Sequence, residues 1–243
     1  MFFFTNANAE VLLSDLWSKY NSIDNENSIK TNVKHPGRVI GQELGEGISS
    51  FNYVWKYRDS VYEIHFEDSK LLAKSIYGLA LHSGDIDESL PKNKFINGVL
   101  GFHYSIDQVC SWLNDPKLKA SDYDNFNRDF IEFLINDKII IKKNNKYVQS
   151  GIISHVLGAS ASKKRSFDKN LNHERLHVYW DMDSEFRNSW KNKWTELTED
   201  RQKEIKNKLK NYNSKNVSQL IEEWAIKSAE SRGGCGQNPG HLF

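Results

Sequence analysis

The chain has 243 residues, 38% of them hydrophobic and 27% charged, with a net charge of +1. That is enough apolar material for a real core, in one large domain or two small ones. Near-neutral charge gives no bulk attraction to nucleic acid or to an anionic membrane, and no apolar run reaches the roughly 18 residues of a membrane span.

Two cysteines, Cys110 and Cys235, define neither a disulfide framework nor a CxxC metal pair. Near the N-terminus, Ala7-Asn8-Ala9 has the form of a signal-peptidase site, but only Phe2 to Phe4 form an apolar stretch before it. A signal peptide needs about 7–15 apolar residues. The reading is therefore no signal peptide, a soluble cytoplasmic protein by default, and secretion left open.

In chain order, Val11, Leu12, Leu16, Trp17 and Tyr20 recur at helical spacing within 9–20. A polar loop follows. Residues 51–66 are aromatic and β-branched around Arg58-Asp59-Ser60, which reads as a strand pair with a turn. The next segment, from Ser69, reads as a helix closed by Gly84.

Residues 105–149 read as a second unit. Ser105 caps a helix that Asp115-Pro116 ends, a second helix spans 122–136, and Asn144-Asn145 turns a hairpin. Helix, helix, hairpin is the order of a winged-helix module. A DNA-reading helix is expected to be basic. This one sets Asp122, Asp124, Asp129 and Glu132 against Arg128, which favours a scaffold or interaction module over nucleic-acid binding.

Residues 150–158 read as a strand and the following SASKKRSFDKN as a basic loop. From Leu171 onward the chain reads as helices. Thr198 opens one that is acidic at its start and basic toward its end, as the helix dipole favours. Another covers 217–230, and the tail containing Cys235 is Gly-rich and irregular. The fold class expected is α+β. It comprises a mixed N-terminal region (1–104), a winged-helix-like middle unit (105–149) and a mainly helical C-terminal domain (150–243).

Chemistry concentrates in His173-Glu174-Arg175-Leu176-His177. Histidines at i and i+4 share one face of a helix, so both rings can aim a nitrogen at one zinc ion. Glu174 is then placed to move a proton between a water and a leaving amine. A catalytic zinc takes three protein ligands and keeps one position open.

Several carboxylates are candidates for the third ligand. Asp183 stands at the metzincin spacing, but the glycine that metzincins need after the second histidine is replaced by Trp180. Glu196 lies nineteen residues after His177. Glu222 and Glu223 flank an apolar helix face, where a carboxylate is costly unless paired or metal-bound. Tyr179 and Tyr212 are possible oxyanion donors, His155 a possible cleft residue, and Cys235 a possible thiolate for the open position.

The run HERLHVYW, then DSEFRNSW, then WTELTEDRQKEIKNKLKNYN, then LIEEWA resembles the zincin-like (peptidase MA, gluzincin) group of bacterial HExxH proteins. In that group a final helix of the form I-N-E-F supplies a metal-binding glutamate. The resemblance implies a zinc peptidase with a protein or peptide substrate. It places the third ligand at Glu223, although Glu222 replaces the usual Asn and the Gln-Ala-Tyr that often follows is absent. It also implies that the strand from Gly151 to Gly158 is the edge strand that pairs with extended substrate. The alternatives are a binding or effector protein with a structural or degenerate site, and a peptidase restricted to one partner.

Overall fold

The computed structural model describes residues 37–39, 57–86, 88–117, 125–162, 167–209 and 216–230. The helix expected over 9–20, the first part of the 51–66 strand pair, Tyr212 and the Cys235 tail lie outside the described residues. The described chain has a mixed α+β architecture, with strands and helices in its N-terminal part and a largely helical C-terminal part.

Four strands form the main sheet: β1 (Gly37–Val39), β2 (Val61–Phe66), β3 (Gly101–Ser105) and β6 (His155–Ser160). Their order is β1-β2-β6-β3, with β2 and β6 parallel and the two outer pairings antiparallel. Side chains alternate across this layer, as strand geometry requires. Tyr62, Ile64, Phe66, Phe102, Tyr104 and Val156 enter one core, whereas Val61, Leu157 and Ala159 enter another on the opposite face.

The first core is closed by α1 (Ser69–Ser83), α2 (Lys92–Gly98), α3 (Ile106–Leu113) and α4 (Asn125–Asn136). On α1 the buried Leu72, Ile76, Leu79 and Ala80 repeat at helical spacing. Asp68 caps its start, and Gly84 ends it with a left-handed φ of 76°, as the sequence predicts. Ser105 and Gln108 form a reciprocal capping box on α3. The hairpin of β4 (Ile140–Lys143) and β5 (Lys146–Gln149) turns at Asn144 and Asn145, both at positive φ. Asn114 ties it to α3 by exchanging two 2.8 Å hydrogen bonds with the backbone of Tyr147. The helix, helix, hairpin order expected for 105–149 is thus observed.

The second core is closed by α5 (Phe167–Met182), α6 (Ser184–Thr195), α7 (Glu199–Lys208) and α8 (Val217–Glu230). Trp224 on α8 meets Trp190 and Trp194 of α6 edge-on, with ring centroids 5.3 and 5.5 Å apart. Each such pair contributes about 0.5–1.5 kcal/mol beyond simple burial. This cluster fixes α8 to α6, and α8, with Glu222 and Glu223, also packs against α5.

Two boundaries differ from expectation. The helix bearing the HExxH motif starts at Phe167, four residues before Leu171. The strand placed over 150–158 runs instead from His155 to Ser160, because Gly151 takes a φ of 81° where the chain leaves the hairpin. That strand is also not an edge. β2 and β3 pair with β6 on its two sides, so it has no free backbone for a substrate. The outer strand beside α5 is β3.

Candidate metal centre

The HExxH segment lies in the middle of α5, so His173 and His177 stand one turn apart on the same face. Their Nε2 atoms face each other at 3.4 Å. The opposite nitrogens are both taken by carboxylates of α8. His177 Nδ1 donates to Glu222 Oε1 at 2.7 Å, and His173 Nδ1 donates to Glu230 Oε2 at 3.2 Å. With the Nδ1 atoms so engaged, neutral rings turn two Nε2 lone pairs toward one point. That is unfavourable unless a proton or a cation lies between them.

Glu223 completes the group. Its Oε1 is 3.5 Å from His177 Nε2, and its Oε2 is 4.0 Å from His173 Nε2. Oε2 is buried and makes no hydrogen bond, although Lys227 Nζ stands 3.7 Å away. A buried carboxylate oxygen without a hydrogen bond is costly, and a metal ion would relieve it. His173, His177 and Glu223 form a cluster whose ligand atoms all lie within 4.8 Å of one another. Two bonds of about 2.0–2.1 Å to a tetrahedral zinc place ligand nitrogens about 3.3–3.4 Å apart, which is the spacing of the two Nε2 atoms. The donor set therefore fits a divalent metal ion.

A second group, His103, His177 and Glu222, also clusters. Its 2.7 Å contact between His177 and Glu222 is a hydrogen bond and leaves no room for an ion. His103 and Glu222 flank the His177 ring of the first group. Carboxylates that orient ligand imidazoles in this way make them better metal donors.

The electrostatics agree. Burial works against charge on His177, yet the hydrogen bond to Glu222 and the charges of Glu223, Glu222 and Glu174 push its pKa up to about 9. The pocket around the two rings thus has an excess of negative charge and favours a cation. Glu174 is also buried, but His103, His173 and His177 hold its pKa below the ordinary carboxylate value.

Glu174 lies under the edge strand. A Cβ added at Gly101 would overlap Glu174 Oε1 and stand 2.7 Å from its Cγ, so the bare glycine makes the space for this side chain. Two residues on, His103 points to the same face, with Nδ1 3.4 Å from Glu174 Oε2. Asp181, one turn beyond His177, lies 3.6 Å from His155 Nε2 and 3.9 Å from His103 Nε2. Burial opposes ionisation of Asp181, but these histidines hold its pKa low.

The remaining sequence candidates are placed elsewhere. Asp183 caps α6, accepting from the Phe186 amide at 3.0 Å. Glu196 closes the other end of α6 and is exposed. Tyr179 is buried against Tyr57 and Phe186 in the second core. His155 is buried on β6 and shares Asp181 with His103. Cys110 is buried in α3, where burial and Asp107 push its thiol up to about 11.

Sequence reasoning missed Gly101, His103, Asp181 and Glu230. For the first two a signal existed: Gly101–Ser105 alternates small or polar residues with Phe102 and Tyr104, the period of a half-buried strand. β3 ends at Ser105, while α5 and α8 lie after residue 150, so the site draws on both flanks of the intervening unit.

Comparison with protein-family models, with curated proteins and with solved structures finds no match to this chain. Fold and site together define a mixed α+β protein with a buried His/His/Glu cluster able to hold a metal ion. Among the described residues no helix is long and apolar enough to cross a membrane.

Proposed function

We propose that this chain is a zinc-dependent peptidase of the HExxH, gluzincin-like type, with His173, His177 and Glu223 as metal ligands and Glu174 as general base. The observation that carries the reading is the pair of Nε2 atoms 3.4 Å apart beside a buried Glu223 oxygen that makes no hydrogen bond. His173, His177 and Glu223 would hold a zinc ion, which would supply Lewis acidity for a bound water and a carbonyl. Glu174, which the neighbouring histidines keep ionised, would accept a proton from the attacking water and return it to the departing amine. Glu222 and Glu230 keep the two imidazoles oriented. In a peptidase restricted to one partner, the N-terminal ~145 residues would select the protein or peptide substrate.

The test is zinc content together with hydrolysis. One zinc per chain, and loss of proteolysis in Glu174→Gln with zinc retained, is the expected result. Full activity in that variant refutes the mechanism.

The second reading is a binding or effector protein with a structural site. The burial of the cluster between α5 and α8 favours it, since an ion there would also tie the two helices together. His173→Ala separates the two readings: zinc lost with the fold intact supports the peptidase, and zinc lost with the fold destroyed supports a structural role.

A further inference from the structure

His103 lies flat on the ring of His177, with centroids 4.3 Å apart and planes 7° from parallel. The stack leaves its ring edges facing two carboxylates, Glu174 at 3.4 Å from Nδ1 and Asp181 at 3.9 Å from Nε2. An ionised carboxylate only accepts hydrogen bonds, so the donor in the closer contact is the imidazole. Gly101, on the same face of β3, leaves the space into which the Glu174 side chain fits. The edge strand therefore meets this carboxylate twice, once by an absent side chain and once by a ring nitrogen.

We infer that His103 is the positioning residue for Glu174: its Nδ1–H holds Oε2, and the other carboxylate oxygen thereby keeps one direction. The inference rests on reading Glu174 as the general base. An unpinned carboxylate samples several rotamers, and a misplacement of about 1 Å can cost about 100-fold in rate.

Two substitutions separate the hydrogen bond from the ring. Asparagine carries an N–H at the position of Nδ1 and has no ring. Phenylalanine keeps a flat ring to stack on His177 and has no donor. Zinc-loaded full-length protein is assayed on casein and on a mixture of quenched fluorescent peptides. His103→Phe is expected to lose about 10–100-fold in kcat at unchanged KM and zinc content, while His103→Asn stays within about fivefold of the parent. Equal losses in the two variants, or an active Phe variant beside an inactive Asn variant, overturn the inference.

A second measurement needs no hydrolysis. In zinc-free protein the 15N shifts of the His103 ring show whether Nδ1 bears hydrogen. A protonated Nδ1 whose shift moves in Glu174→Ala supports the contact. A bare Nδ1, or one indifferent to Glu174→Ala, overturns it. If the parent protein cleaves neither probe, a peptidase of broad specificity is refuted and the nitrogen shifts decide the His103 contact by themselves.

Discussion

The guanidinium of Arg175 donates two hydrogen bonds, each 2.6 Å, to the buried carboxylate of Glu63. Arg175 is the first variable residue of the HExxH motif, and Glu63 lies on β2 in the middle of the sheet. The pair anchors the motif helix while His173 and His177 face α8. Breaking a buried pair from one side strands a charge and costs about 3–5 kcal/mol. Arg175→Met is expected to lose that much in urea unfolding. The double variant with Glu63→Leu is expected to recover most of the loss, because no charge is left stranded.

Glu222, Glu223 and Glu230 should separate by their effect on zinc affinity. Glu222→Gln and Glu230→Gln remove carboxylates that orient His177 and His173, and each is expected to weaken zinc binding by about 10–100-fold. Glu223→Gln removes the carboxylate of the ligand group itself, so its loss should exceed about 100-fold. Competition with a chromogenic chelator measures all three. A Glu223 variant that binds as tightly as the parent would remove this residue from the ligand set.

Gly101→Ala tests the space under β3. The new methyl meets Glu174 from Cγ to Oε1, so the whole buried side chain is expected to move. The stability cost should be that of overpacking, about 1–3 kcal/mol. Hydrolysis should fall well beyond that while zinc stays bound. A variant with unchanged activity would show that Glu174 does not need this position.

The pKa of His177 leads to a pH dependence for the metal-free protein. Its folded value, about 9, lies above the ordinary 6.5. The stability this group contributes is therefore fully present below pH 6.5 and is lost as pH rises through 9. Urea midpoints of chelator-treated protein should fall across that window, and the fall should shrink in Glu222→Gln. Zinc must displace the proton, so its affinity should rise over the same interval, with proton release on binding.

A good deal of this was legible in the residues themselves, where the controlling interactions are local. Gly84 and Thr198 mark helix ends because a left-handed turn and a side-chain cap involve only a few neighbouring residues. Asn144-Asn145 marks the hairpin for the same reason. The i and i+4 spacing of His173 and His177 put both rings on one face before any packing was known.

What the residues could not disclose is pairing across distance. Strand order depends on which backbone edges meet, so β6 read as an edge strand although β2 and β3 enclose it. The residues themselves counted against Asp183 and favoured the apolar face of Glu222 and Glu223, but only the resemblance chose Glu223 over Glu222. Trp224 packs on α6 and its neighbour Glu223 is buried, whereas Asp183 and Glu196 cap the two ends of α6. His103 and Gly101 lie about seventy residues before the motif they serve, and no local pattern couples them to Glu174. Local sequence determined the elements and the two imidazoles; only the packing of α5, α8 and the edge strand β3 decided which carboxylates surround those rings.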